Sequence, residues 1–271
     1  MQVYDSVSEI IGKTPLVRLK GFGENLYGKC EFLNPSHSIK DRAAYAMIKK
    51  ALDEAHISKE TTIIECTSGN MGISLAMICA TLGLKIILTM PESMSIERRK
   101  MMALFGAKLE LTPASEGMKG AYERALALHK EIKNSFIPSQ FENLANKFAH
   151  RENTAVEILN DLDGKIDYFV AGFGTSGTIS GVGEVLKEKF ADKVKIIAVE
   201  PAASPLLSEG KAGGHKIQGI GANFIPKILN QSVIDEIQTI SNEDAIATAR
   251  ELALKNGLMV GISSGANVFI A

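Results

Sequence analysis

From residue 62 onward, short apolar runs alternate with stretches of helical period, and most changes from one to the other fall at a glycine or proline. Such runs, apolar on both faces, need cover on both sides, and the connections between them are long enough for helices. That combination restricts the fold to a parallel sheet wound with helices on both faces. The pattern predicts strands over 62–66, 85–90, 108–111, 135–138, 168–171, 195–200, 236–239 and 258–262. It predicts helices over 71–81, 95–105, 117–133, 154–159, 179–190 and 245–254, the last opened by a Ser241 cap and ended by Gly257. Residues 16–19 and 26–32 read as a neighbouring pair of strands, and a helix beginning near Lys40 runs to about residue 55. The polar segment 143–155 reads as a loop dividing two lobes. Residues 201–226, rich in Gly and Pro but carrying Ile217, Ile220 and Phe224, read as an ordered functional loop. The expected architecture is therefore α/β, in two successive doubly wound lobes.

Composition narrows the function classes. The chain has 271 residues, 45% hydrophobic and 23% charged, enough for one large core or two modest ones. A formal net charge of -1, with no basic block laced with aromatics, gives no nucleic-acid surface. Cys30, Cys66 and Cys79 are widely spaced without a Cys-x-x-Cys pair, which fits packed thiols in a reducing compartment better than disulfides or structural zinc. No His/Cys/Asp set has metal-ligand spacing. Without a signal-peptide pattern or a run of membrane-spanning length, the expected location is the cytoplasm and no membrane partner is expected.

Chemistry concentrates at two kinds of place. In Asn34-Pro35-Ser36-His37-Ser38-Ile39-Lys40-Asp41-Arg42 a lysine stands between a Pro-restricted turn and a helix start that Ser38 can cap. Partial burial and the positive end of the helix both lower an amine's pKa, so Lys40 is either a nucleophilic, Schiff-base-type lysine or an ordinary exposed one. The second kind is a trio of strand-to-helix turns: Thr67-Ser68-Gly69-Asn70-Met71-Gly72, 172–178 around Gly174-Thr175-Ser176-Gly177-Thr178, and Gly261-Ile262-Ser263-Ser264-Gly265. Backbone N–H groups at such turns, joined by hydroxyls, form anion cradles at the carboxyl ends of parallel strands. Three together with Lys40 imply a phosphorylated or carboxylated ligand. The glycines at 172, 174 and 177 match a dinucleotide fingerprint on spacing, but Thr175-Ser176 favours phosphate hydrogen bonds over close helix packing, and no Gly-Lys-Ser/Thr follows any glycine run.

Taken with Met90-Pro91-Glu92-x-Met94-Ser95-Ile96-Glu97-Arg98-Arg99 and His215-Lys216-Ile217-Gln218-Gly219-Ile220-Gly221, these motifs in this order resemble the cysteine synthase (O-acetylserine sulfhydrylase) family of fold-type II pyridoxal-phosphate enzymes. The resemblance runs over essentially the whole chain. It implies two doubly wound α/β lobes with the cofactor in the cleft between them: a smaller mobile lobe of residues 35–145, and a larger phosphate-binding lobe of residues 1–34 and 146–271. It implies that Lys40 forms an imine with pyridoxal 5′-phosphate, that Asn70 bonds the 3′ oxygen, and that Gly174, Thr175, Ser176, Gly177 and Thr178 hold the phosphate. Ser264, taken in preference to Ser263, would face the pyridine nitrogen. Thr67, Ser68, Asn70, Met71 and Gln140 would surround the substrate α-carboxylate. A serine at the ring nitrogen makes the ring a weaker electron sink than an Asp would, which suits β-elimination to a bound aminoacrylate and addition of a thiol. Lys40, once released, can remove the Cα proton.

The resemblance implies β-replacement forming L-cysteine from O-acetyl-L-serine and sulfide. It also implies amino-acid and thiol or sulfide substrates, a homodimer, and a cleft that can take the tail of a serine acetyltransferase. Several positions depart from the family pattern. Met71 stands where the family has Thr, and Asn223 where it commonly has Gly; Asn223 would contact substrate. These two changes support an alternative in which cysteine is the donor, hydrogen sulfide is released and serine, lanthionine or cystathionine forms. Ser176 replaces a usual Gly, which costs backbone freedom if its φ is positive. By resemblance the chain lacks the family's carboxyl-terminal end, which motivates a third reading as a non-catalytic scaffold. His37 reads as a loop histidine and not a general base, His215 as structural, and His150 with Arg151 as a polar pair open to solvent, partner or substrate.

Overall fold

A computed structural model of the chain describes residues 3–67 and 69–271. These described residues divide into two compact units, the first taking those up to Gly12 and those from Glu31 to Asn146, the second Lys13–Cys30 and Lys147–Ala271. The amino-terminal segment is thus shared between the units, whereas the expected division gave all of residues 1–34 to the larger lobe.

In the first unit, α1 (Lys40–Asp53) is followed by the first strand of a parallel sheet, and from there strand and helix alternate. Before these come the short pair β1 (Leu16–Arg18) and β2 (Tyr27–Lys29), antiparallel and part of the second unit. The sheet contains β3 (Thr62–Cys66), β4 (Lys85–Pro91), β5 (Lys108–Thr112) and β6 (Ser135–Phe136), in the spatial order β5-β4-β3-β6 with every pair parallel. Between the strands run α2 (Asn70–Leu82), α3 (Ile96–Leu104) and α4 (Gly117–Glu131). The period-two alternation decides which helix covers which face. Ile63 and Leu88 join the core made by Ala44, Met47 and Ile48 of α1 and Leu75 and Ile78 of α2, whereas Ile64 and Ile87 pack with Ala125 and Leu128 of α4. α2 is apolar almost all round and is buried from Met71 to Cys79, the middle layer of its unit.

The second unit repeats the plan. Strands β7 (Tyr168–Gly172), β8 (Lys195–Pro201) and β9 (Glu236–Ile240) are parallel and lie in that order. Helices α5 (Leu144–Ala149), whose first residues belong to the first unit, and α6 (Ala155–Asp161) precede the sheet. Then follow α7 (Gly177–Phe190), the short α8 (Leu206–Glu209), α9 (Asn242–Asn256) and α10 (Ile262–Ile270). Ile196 and Ala198 face α6 and α7; Val199 faces Ala245 of α9 and Ala266 of α10. Ser241 caps α9 by accepting the Asp244 N–H at 3.0 Å, and Gly257 ends it at φ 67°.

Two expectations are corrected. Residues 143–155 are not a loop: α5 runs into a π-helical stretch, His150–Thr154, and then into α6. The polarity that suggested a loop is consumed internally. Asn143 Oδ1 accepts the Ala145 N–H, Lys147 and Arg151 pair with Glu184 of α7, and His150 Nδ1 meets Thr154 Oγ1 at 3.0 Å. Residues 258–261 are not a strand either. Met259 is 89% exposed and no ladder forms there, so apolar composition alone could not make a strand; the chain turns at Gly261 directly into α10. Among the described residues no helix is long and apolar enough to cross a membrane.

Candidate active site

The turn before Lys40 is tied down by buried polar groups. Asp41 accepts the Ser36 N–H at 2.7 Å, the Ser36 hydroxyl, and the Ser74 hydroxyl of α2 at 2.6 Å. Arg42 makes two 2.8 Å bonds to Glu31, whose carboxylate also accepts the Asn34 amide at 2.9 Å; the Gly12 N–H closes the ring on Asn34 Oδ1 at 2.8 Å. Paired and hydrogen-bonded, these charges tolerate burial that neither would tolerate alone. Ser38 Oγ accepts the Lys40 N–H at 3.3 Å, so Lys40 is the first residue of α1. Its side chain is half-buried and makes no ion pair among the described residues. Burial therefore lowers its pKa from the ordinary 10.5. This is an amine held in place with its lone pair made available.

Glycine turns at the strand ends supply the rest. In the first unit Thr67 is buried, its N–H bonded to Thr89 O at 3.1 Å, and Gly69 is the N-cap of α2. Asn70 opens that helix in an exposed position, and the first N–H groups of α2 have no helical acceptor. The Met71 side chain is 2% exposed, inside the core of its unit. Ser68 lies outside the described residues. Gln140 is buried beside the end of β3, where its backbone and side chain both bond Glu65.

The second unit brings 172–178, 219–221 and the start of α10 together. Asn267 Oδ1 accepts the Gly172 N–H at 2.7 Å, and the Gly221 N–H bonds Phe173 O at 3.0 Å. A Cβ on Gly174 would stand 2.4 Å from Gly219 O, so no other residue fits there without moving backbone. Thr175 and Ser176 are buried, and Ser176 caps α7 in the left-handed region at φ 71°. Its hydroxyl is buried without a protein partner, a cost of about 1–3 kcal/mol unless a ligand oxygen meets it. Thr178 lies 3.3 Å from the buried His150 through its hydroxyl. These features fit a resident phosphate: hydroxyls, a helix start and, at Gly174, no room for a side chain.

On α10, Ser263 and Ser264 are both half-buried. Ser263 shares the face of Asn267 four residues on, the face turned to Gly172, and its hydroxyl would stand 3.7 Å from a Cβ placed on Gly219. Asn223 is exposed, two residues beyond Gly221. His150 and Glu65 each meet a partner distant in sequence, Thr178 and Ser139. Two of the three thiols are poor nucleophiles: burial pushes Cys66 up to about 11 and Cys79 up to about 12. Among the described residues no group of acidic, His and Cys side chains could hold a metal.

Comparison with known proteins gives this arrangement a family. Residues 7–271 match the family model for "Pyridoxal-phosphate dependent enzyme". The chain is 69% identical over 271 residues to cysteine synthase B of Campylobacter jejuni, covering 100% of this chain and 90% of the relative. Among solved structures it resembles a hydrogen sulfide-producing enzyme from Fusobacterium nucleatum (46% identity, TM-score 0.93, 98% of this chain and 90% of that one). It also resembles O-acetylserine sulfhydrylase isoform 3 from Entamoeba histolytica (41% identity, TM-score 0.95, 99% and 82%). A held lysine, a phosphate-shaped turn and this extent of identity place the chain in the cysteine synthase (O-acetylserine sulfhydrylase) family of pyridoxal-phosphate-dependent enzymes.

Proposed function

We propose that the protein forms L-cysteine from O-acetyl-L-serine and sulfide by β-replacement with pyridoxal 5′-phosphate. The observation that carries this reading is Lys40, a half-buried amine with a lowered pKa on a turn fixed by Asp41 and Arg42. Lys40 would hold the cofactor covalently, Asn70 its 3′ oxygen, and Gly174, Thr175, Ser176, Gly177 and Thr178 its phosphate. The bound cofactor supplies an electron sink for the pair left at Cα. Lys40 Nζ would take the Cα proton as acetate leaves Cβ with its bonding pair, and would return that proton to Cα once sulfide has bonded Cβ. Thr67, Ser68, Asn70, the Met71 N–H and Gln140 orient the substrate by its α-carboxylate, and Asn223 extends toward its side chain. A serine at the ring nitrogen, Ser263 on the geometry of α10 or Ser264 on sequence resemblance, cannot keep that nitrogen protonated, which favours loss of a β-substituent over a long-lived carbanion. The likeness to a sulfide-producing enzyme, with Met71 and Asn223, supports a second reading in which cysteine is the donor and sulfide the product.

A homodimer, a cytoplasmic location, a smaller lobe that moves on substrate binding and capture of a serine acetyltransferase tail are further parts of this proposal. The test is a matrix of O-acetylserine, serine and cysteine against sulfide, cysteine and homocysteine, with amino acids and sulfide measured. Cysteine from O-acetylserine and sulfide as the fastest entry is the expected result; faster sulfide release from cysteine would replace it with the second reading.

A further inference from the structure

Glu65 is a 4% exposed carboxyl on β3 with no ion pair among the described residues. Its contacts all lead to one turn. Glu65 Oε2 accepts the Ser139 N–H at 3.0 Å, and both the backbone and the side-chain amide of Gln140 bond the same carboxyl. Ser139 is held at φ 56°, a region that disfavours residues with a Cβ. The turn is clamped from its other side by Asn143 Nδ2 on Pro138 O at 2.9 Å and Asn146 Nδ2 on Gln140 O at 2.8 Å. A carboxyl desolvated at this cost, spending its acceptors on one short turn, is more than a space filler.

We propose that Glu65 is a positioning residue that aims the Gln140 amide at the substrate α-carboxylate. The inference rests on the reading of Gln140 as a carboxylate contact. An amide nitrogen has two N–H groups; Glu65 takes one and so fixes which end of the amide faces the substrate, leaving the second N–H to bind it. Without that acceptor the amide can turn its oxygen toward an anion. Burial pushes the Glu65 carboxyl up to about 7, so its charge changes near neutral pH. The ionised form accepts all three N–H groups, whereas the protonated form can donate to the Gln140 oxygen and release the amide. The groups facing it are neutral: Ser139, Gln140 and, in register on β4, Leu88. The adjacent Cys66, raised to about 11, keeps its proton throughout this range.

The test compares the holoenzyme with Glu65→Ala, Glu65→Gln and Gln140→Ala, reading KM for O-acetylserine, kcat and cofactor absorbance between about pH 6 and pH 8.5. Glu65→Ala is expected to raise KM about 10-fold with kcat nearly unchanged and the visible band retained. Glu65→Gln restores KM and abolishes the rise in KM that the parent shows below about pH 7. An unchanged KM in Glu65→Ala, or the same pH profile in parent and Glu65→Gln, would overturn the proposal. Should Glu65→Ala fail to fold, the Glu65→Gln profile decides alone. The thermal midpoint of the cofactor-free protein gives a readout independent of turnover: its fall with rising pH should vanish in Glu65→Gln. If Gln140→Ala leaves KM unchanged, the reading of Gln140 itself fails; if it raises KM while Glu65→Ala does not, only the role of Glu65 fails.

Discussion

Two strand-to-helix turns of nearly the same composition end up in opposite states. At the end of β3 the turn around Gly69 leaves Asn70 exposed and the start of α2 open to water. Beyond β7 the turn around Gly174 is buried, strained at Ser176 and left with a hydroxyl that no protein atom satisfies. The difference separates an exchangeable ligand from a resident one. An exposed helix start is satisfied by water between visits and costs little to leave empty, whereas a buried, partnerless hydroxyl costs about 1–3 kcal/mol that a resident group would offset. This matches a substrate carboxylate at the first turn and a cofactor phosphate at the second.

The largest expected effect falls on the lysine that the proposed function places at the centre of the chemistry. Lys40→Met should lower turnover by about 10³-fold or more, read by steady-state kinetics. The same variant should not destabilise the cofactor-free protein. Because the folded pKa of Lys40 lies below 10.5, the unfolded chain binds more protons in the interval between the two, so native stability climbs as pH rises through it; denaturant titration should find that climb absent in Lys40→Met.

Next come the glycines. Gly174→Ala must move the Gly219 carbonyl and should cost about 1–3 kcal/mol and most of the cofactor affinity. Gly69→Ala meets nothing within 4 Å and has a negative φ of -120°, so stability should change by less than about 0.5 kcal/mol while KM for the amino acid rises. Equal losses of stability from the two substitutions would erase the contrast.

Glu65 gives the next effect, on the order of 3 kcal/mol. Its folded pKa of about 7 exceeds the ordinary 4.5, so the folded state binds more protons and stability falls as pH rises between those values, then levels off. Chemical denaturation across that window checks the slope, which Glu65→Gln should remove. One further substitution sharpens the comparison most. Ser176→Ala should stabilise the cofactor-free protein by roughly 1 kcal/mol while weakening cofactor binding, opposite signs that a purely structural hydroxyl would not give. Fluorescence titration with pyridoxal phosphate, beside thermal melts, reads both.

Most of the architecture was legible because its signals are local. Strands β3, β4, β7 and β8 begin where apolar runs begin, and Ser241 and Gly257 bound α9 as caps must. The failures share a cause. Residues 143–155 looked like a loop because their polar groups find partners in α7 and within their own turns, and residues 258–261 looked like a strand although nothing pairs with them. Hydrogen-bond partners distant in sequence leave no mark on periodicity.

The sequence by itself determined the alternation of strands and helices, the lysine at a helix start and the glycine turns, since each follows from backbone sterics and the burial of one face. Only the tertiary structure decided that the Met71 side chain belongs to the core, that the Ser176 hydroxyl is buried without a partner, that Ser263 shares a face with Asn267, and that Glu65 grips Gln140. Those depend on which groups lose water together, and desolvation is a property of the packed molecule.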